Sequence, residues 1–343
     1  MILCGIQQSE FEIGLELLKQ DLLAHSGMFD GVVSLPGSKD LRFSKFLERR
    51  ESLVQTTQFP LGAEIGNQAF LNRSIKDSLA FESFHVAPFQ SCAVSEAKEV
   101  WRSHGEDLLE PLRRQVERAD VLEGIILGLD STRAFSGGIG TEMIPAFKDE
   151  FGNNSIVVFD AISKIPEDPA SILNRGLCLS TFWREASLIA AMQSDLAMCS
   201  WFRPLRMEAH WTLNTFISHI RPFHSCSVLE WNASTSNQEL SIGNEQTCFS
   251  SLTVALGPNS KRLDRSPSFA YRDGLPVIDS DFTASFWTGR SSEELLNRTC
   301  LAFRNACKSA SSSIKQEFQA FGTETWDLIE TQETLCQFRD SYK

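Results

Sequence analysis

Two nearly continuous apolar runs constrain the fold of this chain more than any other feature. They are Gly124–Leu129 and Ser155–Ile162. Runs of this kind are typical of strands that are buried on both faces of a parallel sheet. A glycine-containing loop at 131–138 and a helical segment from about Ile139 to Phe151 separate them. Because parallel strands require such crossover connections, the pattern predicts an α/β fold with a doubly wound, mainly parallel sheet.

The same alternation of strands and helices extends in both directions from these runs. Apolar periodicity predicts the helices, and short apolar runs bounded by turn residues predict the strands. The further predicted strands are 1–6, 29–35 and about 195–201, and the predicted helices are 10–25, 106–119, about 170–191 and about 207–220.

Past residue 225 the texture changes, with strand-like runs at 251–256 and 282–287 among Ser, Asn and Gly residues, followed by helices at about 291–309 and 324–341. We therefore predict four parts. They are a nucleotide-binding-type, Rossmann-like domain at 1–205, a central helix at 206–225, a second, smaller α+β domain at 226–290 and closing C-terminal helices at 291–343.

Charge limits the classes of partner. The 343 residues include 32 Lys and Arg against 44 Asp and Glu, for a net charge of -12. This acidity disfavours general binding to nucleic acids or anionic membranes, so the expected partners are neutral or basic proteins. No apolar run approaches the roughly 20 residues of a membrane span, and the first residues lack the features of a signal peptide. The expected location is cytoplasmic.

Cysteine and histidine spacing predicts no metal site. The nine cysteines contain no C-x-x-C pair and are expected to be reduced and mostly buried. Cys300 and Cys307 are seven residues apart on a helix, a separation that is too large for a disulfide. They are expected instead to share a buried face of that helix. His219 and His224 lack the second ligand pair that a tetrahedral site needs.

The segment 136–142 is the one loop that suggests chemistry. It reads Ser-Gly-Gly-Ile-Gly-Thr-Glu between a buried strand and a helix. Glycines let backbone N–H groups approach a phosphate closely, and a helix N-terminus favours an anion. Glycine-rich turns of this type also serve only to pack a helix closely, so both interpretations stay open.

The order of these segments resembles the tubulin/FtsZ superfamily. Residues 104–143 are similar to the tubulin helix, strand and signature loop, in which S-G-G-I-G-T-E stands where the superfamily has G-G-G-T-G-S-G. The amino-terminal ILCGIQQSEFEIG is similar to the first tubulin strand and loop, and 284–298 and the last helix are similar to the tubulin C-terminal elements. The resemblance implies a GTP site formed by Ser136, Gly137, Gly138, Gly140 and Thr141, and by Asn214, which matches the asparagine that contacts the guanine base.

The chain also departs from the family pattern. Glu10 and Glu142 place negative charge where nucleotide phosphates would lie, and Val32–Gly37 offers no carboxylate for Mg²⁺. The second phosphate loop aligns with Ala97–Trp101, which has no glycine. No catalytic acidic residue is evident, although Glu230 or Glu239 could lie nearby. A carboxylate close to a triphosphate is strongly unfavourable, so the expectation is a vestigial or weak site without cofactor or metal, and GTP is the alternative ligand.

Within the superfamily, the Phe-Ser-Gly-Gly-Ile-Gly run from Phe135 is most similar to the Misato family. This resemblance implies a pseudo-GTPase that acts through protein contacts in mitochondrial distribution and morphology or in cytoskeletal organisation. The implied partners are tubulin-family subunits or a second copy, with peripheral association at the mitochondrial outer surface. The first alternative is a GTP-binding protein that self-assembles into filaments. The least favoured alternative is a hydrolase that uses Gly128–Ser131, because the G-x-S-x-G elbow of such enzymes is absent.

Overall fold

The structure is a computed structural model. It describes residues 2–7, 31–36, 92–118, 121–152, 154–160, 166–191, 212–221, 223, 227–234, 248–256 and 282–342.

Eight strands form one sheet in the described part of the chain. They are β1 Ile2–Gln7, β2 Gly31–Pro36, β3 Gly124–Leu129, β4 Ser155–Asp160, β5 Leu188–Ala191, β6 Val228–Ser234, β7 Cys248–Leu256 and β8 Phe282–Gly289. Their order across the sheet is β2-β1-β3-β4-β5-β6-β8-β7, so β2 lies on one side of β1 and β3 on the other. Strands β1 to β6 are parallel to one another, whereas β8 runs antiparallel to both β6 and β7.

Seven helices accompany the sheet in the described residues. They are α1 Glu96–Arg118, α2 Ala134–Phe151, α3 Pro169–Glu185, α4 Leu213–Ile220, α5 Arg290–Ser309, α6 Ser312–Ala320 and α7 Thr325–Asp340. Asp168 begins α3 by accepting a hydrogen bond from the Ser171 N–H, and Pro169 occupies the first helical position, where its missing N–H costs nothing.

The central strands are buried on both faces. In β3, Ile125, Leu127 and Leu129 belong to a large apolar cluster, whereas Ile126 between them is equally buried but faces the other side. The cluster includes residues of α1, α2, α3, α5, α6 and α7. The buried residues of α4 are not part of it. Helices therefore cover the sheet, and its continuous apolar strands are buried on both faces, as predicted.

The α/β class and the mainly parallel sheet are confirmed. Both runs that dominated the sequence are strands, and β4 covers Ser155–Asp160, while the last two residues of the predicted run, 161–162, lie outside the described residues. The prediction of a helix over about 170–191 is wrong in its last part. The helix ends at Glu185, and Leu188–Ala191 is β5, because Ser187 N–H already donates to the Ile156 carbonyl of β4.

The predicted loop at 131–138 is also wrong in extent. Helix α2 begins at Ala134, five residues before the predicted start at Ile139, so Ser136 to Thr141 are helical. Helix α1 begins at Glu96, which makes Ala97–Trp101 its first turns. Acidic Glu96 and Glu99 in that turn favour a helix start. Helix α6 was not predicted.

The division into domains stays a prediction. The proposed boundary at residue 225 falls between β5 and β6, which are hydrogen-bonded neighbours in one sheet. Within the proposed central helix at 206–225, the structure describes α4 and its flanks. The predicted helix at 10–25, the predicted strand near 195–201, and residues Glu10 and Glu239 lie outside the described residues.

Candidate functional site

The candidate site lies where β3 ends and α2 begins. In open α/β sheets, ligands bind beyond the carboxyl ends of the strands, where the strand order reverses. Here the order reverses at β1, whose neighbours are β2 and β3. The predicted glycine segment follows β3 directly, so its position in the topology is that of a ligand site.

The turn from β3 into α2 is held by its own polar groups. The N–H of Asp130 donates to Ser136 Oγ at 2.9 Å, and Asp130 Oδ1 accepts from the Thr132 N–H at 2.9 Å and from the Thr132 hydroxyl. Ser136 is fully buried. The hydroxyl that the resemblance assigns to a nucleotide is therefore bonded to the backbone of the preceding turn.

Gly138 lies in close contact with the segment that leads into α1. A Cβ atom at Gly138 would lie 2.5 Å from the carbonyl oxygen of Val94 and 2.4 Å from the Cβ of Ala97. Both distances are below 3.0 Å, which Cβ atoms essentially never reach. The missing side chain thus lets α2 and the start of α1 approach each other closely.

The other two glycines of the segment are packed in the same way. A Cβ atom at Gly137 would lie 2.7 Å from Cys178 Sγ of α3, and one at Gly140 would lie 2.5 Å from a methyl group of Leu129 in β3. Each glycine therefore faces a different neighbour: α1, α3 or the sheet. Of the two interpretations that the sequence left open, close packing accounts for all three positions.

Thr141 and Glu142 lie farther along α2. The Thr141 hydroxyl donates to the Gly138 carbonyl at 2.7 Å. Glu142 is eight residues past the helix start, roughly 12 Å along the axis. Burial raises the pKa of its carboxyl, and Lys98 and Arg102 of α1 oppose that shift. Its charge thus faces α1 at a distance from the helix N-terminus, unlike the predicted place beside the phosphates.

Asn214 is far from the glycine segment. It is exposed at the start of α4, and its Oδ1 accepts a hydrogen bond from the Ser155 hydroxyl. Ser155 is the first residue of β4, whereas the turn into α2 lies level with the last residue, Asp160. Five strand residues separate the two levels, roughly 17 Å. The structure brings Ser136, the three glycines and Thr141 together, but not Asn214.

A buried charged cluster lies beneath the turn. Asp160 Oδ1 accepts from the Ser131 N–H at 2.9 Å, and Arg175 of α3 attracts its carboxylate. Burial raises the pKa of Asp160 to about 6, despite the opposing effect of Arg175 and Ser131. Burial likewise raises the pKa of Cys178 and lowers that of Arg175. Sequence reasoning missed this cluster, although an aspartate that ends an apolar strand was its visible signal.

Asn174 connects three parts of the site. Its Oδ1 accepts from the Val94 N–H at 3.0 Å, and its Nδ2 donates to the carbonyls of Cys92 at 2.7 Å and Thr132 at 3.2 Å. Cys92 is also bound from the other side, since its N–H donates to Glu317 of α6 at 2.7 Å. The segment before α1 is therefore fixed against α3, α6 and the turn after β3.

Glu230, the candidate acidic residue, has a structural position. It is buried in β6 and accepts hydrogen bonds from the hydroxyls of Ser291 at 2.7 Å and Ser292 at 2.9 Å, at the start of α5. Trp287 Nε1 donates to the same Ser291 hydroxyl at 3.1 Å. A carboxylate in this place stabilises a helix N-terminus, so Glu230 joins β6 to α5.

In the part of the chain that the structure describes, no group of three or more His, Cys, Asp or Glu side chains is placed to hold a metal ion. None of the described helices is both long and apolar enough to cross a membrane. No protein-family model matches the chain, and comparison with curated proteins gives no match.

Proposed function

We propose that this chain is a divergent tubulin-like, Misato-like protein that has lost GTP hydrolysis and acts through protein–protein contacts. Mitochondrial distribution and morphology or cytoskeletal organisation is the process that the resemblance suggests. The supporting observation is the close packing of Gly138 against Val94 and Ala97. This contact explains the glycine by the packing of α2 against the start of α1, without a bound nucleotide.

The groups around the start of α2 also favour a site that does not hold a triphosphate. A carbonyl oxygen, that of Val94, lies against Gly138, and a carbonyl oxygen repels an anion. The hydroxyls of Ser136 and Thr141 are engaged within the protein. Asp130, whose side chain is 15% exposed, adds a carboxylate to the same turn and is paired with Arg133 at 3.7 Å. A triphosphate here would meet a carboxylate and a carbonyl oxygen, and it would have to displace existing hydrogen bonds and compete for Arg133.

The alternative is a GTP-binding protein that self-assembles into filaments. It is favoured by one observation, the reversal of strand order at β1 beside the start of α2. Open α/β sheets place nucleotides at such positions. The main proposal therefore predicts that the protein does not bind GTP, whereas the alternative predicts that it does.

Nucleotide content and GTP titration separate them. We expect the purified protein, after heat denaturation, to release no guanine nucleotide, and titration calorimetry with GTP and Mg²⁺ to show no binding in the micromolar range. An FtsZ protein measured in parallel serves as the positive control. Micromolar binding would overturn the pseudo-GTPase proposal, and the filament alternative would then be tested by sedimentation with GTP.

The contact-based part of the proposal has its own test. Crosslinking and mass spectrometry of the protein in cell extract are expected to recover tubulin-family subunits or a second copy of this chain. Sedimentation of the pure protein distinguishes self-association from binding to another protein. A monomer that crosslinks to no tubulin-family protein would contradict the proposed mode of action.

A further inference from the structure

The outward face of helix α7 carries two large apolar side chains one turn apart. Helix α7 packs on α3 and α5. The buried residues of its inward face are Thr331, Thr334, Leu335 and Phe338. On the opposite side of the helix, Trp326 is 74% exposed and Ile329 is 43% exposed. Residues three apart on a helix are neighbours, so the two side chains form one apolar surface in contact with solvent, and such surfaces mark interaction sites.

Carboxylates surround these two side chains. Between residues 316 and 338 the chain contains no Lys, Arg or His, and its acidic residues there are Glu317, Glu324, Asp327, Glu330 and Glu333. Glu330 and Glu333 are exposed on the same side of α7 as Trp326 and Ile329. Glu330 meets one cation of the fold, Arg184 of α3, at 3.4 Å, and an ion pair this exposed contributes little. The face thus combines an apolar centre with net negative charge.

We propose that the face formed by Trp326, Ile329, Glu330 and Glu333, the α7 face, is a docking site for a basic amphipathic helix of a partner protein. The four positions follow the spacing i, i+3, i+4 and i+7, so they form a stripe roughly 10 Å long against which another helix can lie. Apolar side chains of that helix cover Trp326 and Ile329, and its Lys or Arg side chains meet the two carboxylates.

Charge decides between the possible occupants of the α7 face. A second copy of the chain brings a net charge of -12 and the same carboxylates, so like charges oppose that pairing. An anionic membrane is repelled for the same reason. A basic segment is instead attracted by the face and by the whole chain. Tryptophan is also among the side chains that contribute most to binding energy at protein interfaces, which gives Trp326 the role of the central contact.

The inference rests on the proposed function in one respect, that the protein acts through protein–protein contacts. It adds the surface that makes a contact and the chemistry of the partner that fits it. It does not depend on whether the chain binds GTP.

The test uses a fluorescently labelled synthetic helix of about 18 residues, with Leu on one face and Lys on the other. Fluorescence anisotropy should show micromolar binding that weakens as the salt concentration rises. Trp326→Ala should lower the affinity by roughly tenfold or more, and the double variant Glu330→Lys, Glu333→Lys should lower it to a similar extent. Because these side chains are exposed, the urea midpoint of unfolding should stay close to that of the wild type.

Leu301→Ala is the matched control. Leu301 of α5 is also exposed, at 52%, but the residues three positions before and after it are Arg298 and Arg304. A basic helix is repelled there, so this variant should bind the peptide as the wild type does. A second peptide, in which Glu replaces every Lys, should not bind the wild type.

A wild-type protein that does not bind the Leu and Lys peptide would overturn the proposal, and so would equal binding by Trp326→Ala. A dimer of the pure protein that Trp326→Ala dissociates would assign the α7 face to a second copy instead. Crosslinking in cell extract separates this inference from the proposed function. A tubulin-family partner captured equally by the wild type and by Trp326→Ala would refute the docking site and leave the proposed function standing, whereas peptide binding without any such partner would do the reverse.

Discussion

Replacement of Gly138 by alanine tests whether the glycine segment joins helices. In a helix interior this change normally stabilises by about 1 kcal/mol, because alanine has the higher helix propensity. At Gly138, however, the new methyl group would lie 2.4 Å from the Ala97 Cβ and 2.5 Å from the Val94 carbonyl oxygen. Neither is the end of a flexible side chain, so α1 and α2 would have to move apart.

Overpacking typically costs about 1–3 kcal/mol, and two contacts below 3.0 Å with atoms that cannot rotate away place Gly138 in the upper part of that range, at about 2–3 kcal/mol. Since it acts against the propensity gain, we expect Gly138→Ala to lower the free energy of unfolding by about 1–2 kcal/mol. With a urea m-value of about 3 kcal/mol/M, the midpoint of unfolding should fall by roughly 0.5 M. Urea titration followed by circular dichroism measures this shift.

Gly105→Ala in α1 is the matched control. There the three atoms nearest to the added Cβ all belong to the side chain of Trp101, the nearest at 3.1 Å, and a side chain can adjust. The control should therefore be neutral or stabilising. If Gly138→Ala were as stable as the wild type, the packing explanation would be refuted, and the glycine would again be available to explain phosphate binding.

Three further predictions concern buried polar groups. Burial raises the pKa of Asp160 from 3.8 to about 6, so its protonated form favours the fold, and this contribution is lost as pH rises from 3.8 to about 6. It amounts to roughly 3 kcal/mol, and a pH series of urea titrations should show that Asp160→Asn removes this part of the pH dependence. Glu230→Ala should cost about 1–2 kcal/mol, because the serine hydroxyls at the start of α5 lose their acceptor, whereas exposed Glu294→Ala should cost little. Tyr342→Phe should cost about 1–3 kcal/mol in the same titration, because the buried Val228 N–H donates to the Tyr342 hydroxyl at 2.6 Å; an unchanged midpoint would contradict this assignment.

The sequence predicted the central strands β3 and β4 because they are buried on both faces, whereas β5 and β6 were not predicted. Such strands must be apolar along their whole length, as Gly124–Leu129 is. This pattern can be recognised in the sequence even when the neighbouring strands are unknown. The short strand Leu188–Ala191 was assigned to a helix, because four apolar residues fit either element. What decides between them is the Ser187 hydrogen bond to β4, a contact between distant residues.

The candidate site was harder to predict for the same reason. Glycines after a strand suggest a loop by local preference, and tertiary packing overrides that preference to extend α2 back to Ala134. Asn214 follows the family pattern in sequence order, but the structure places this residue at the opposite end of β4 from the turn into α2. Asp160 at the end of an apolar strand is visible in the sequence, but its partner Arg175 is not, because the fold alone brings α3 close to the end of β4.

The packing around α2 also specifies what nucleotide binding would require. Asn174 and Gly138 hold the segment 92–97 against the first turns of α2, through three hydrogen bonds and one close backbone contact. Phosphates could reach the N–H groups of those turns only if this segment moved away and the Asn174 hydrogen bonds broke. GTP binding and the docking of α1 would then exclude each other. Asn174→Ala should therefore weaken the fold under the main proposal, and should increase GTP affinity only if the filament-forming alternative is right.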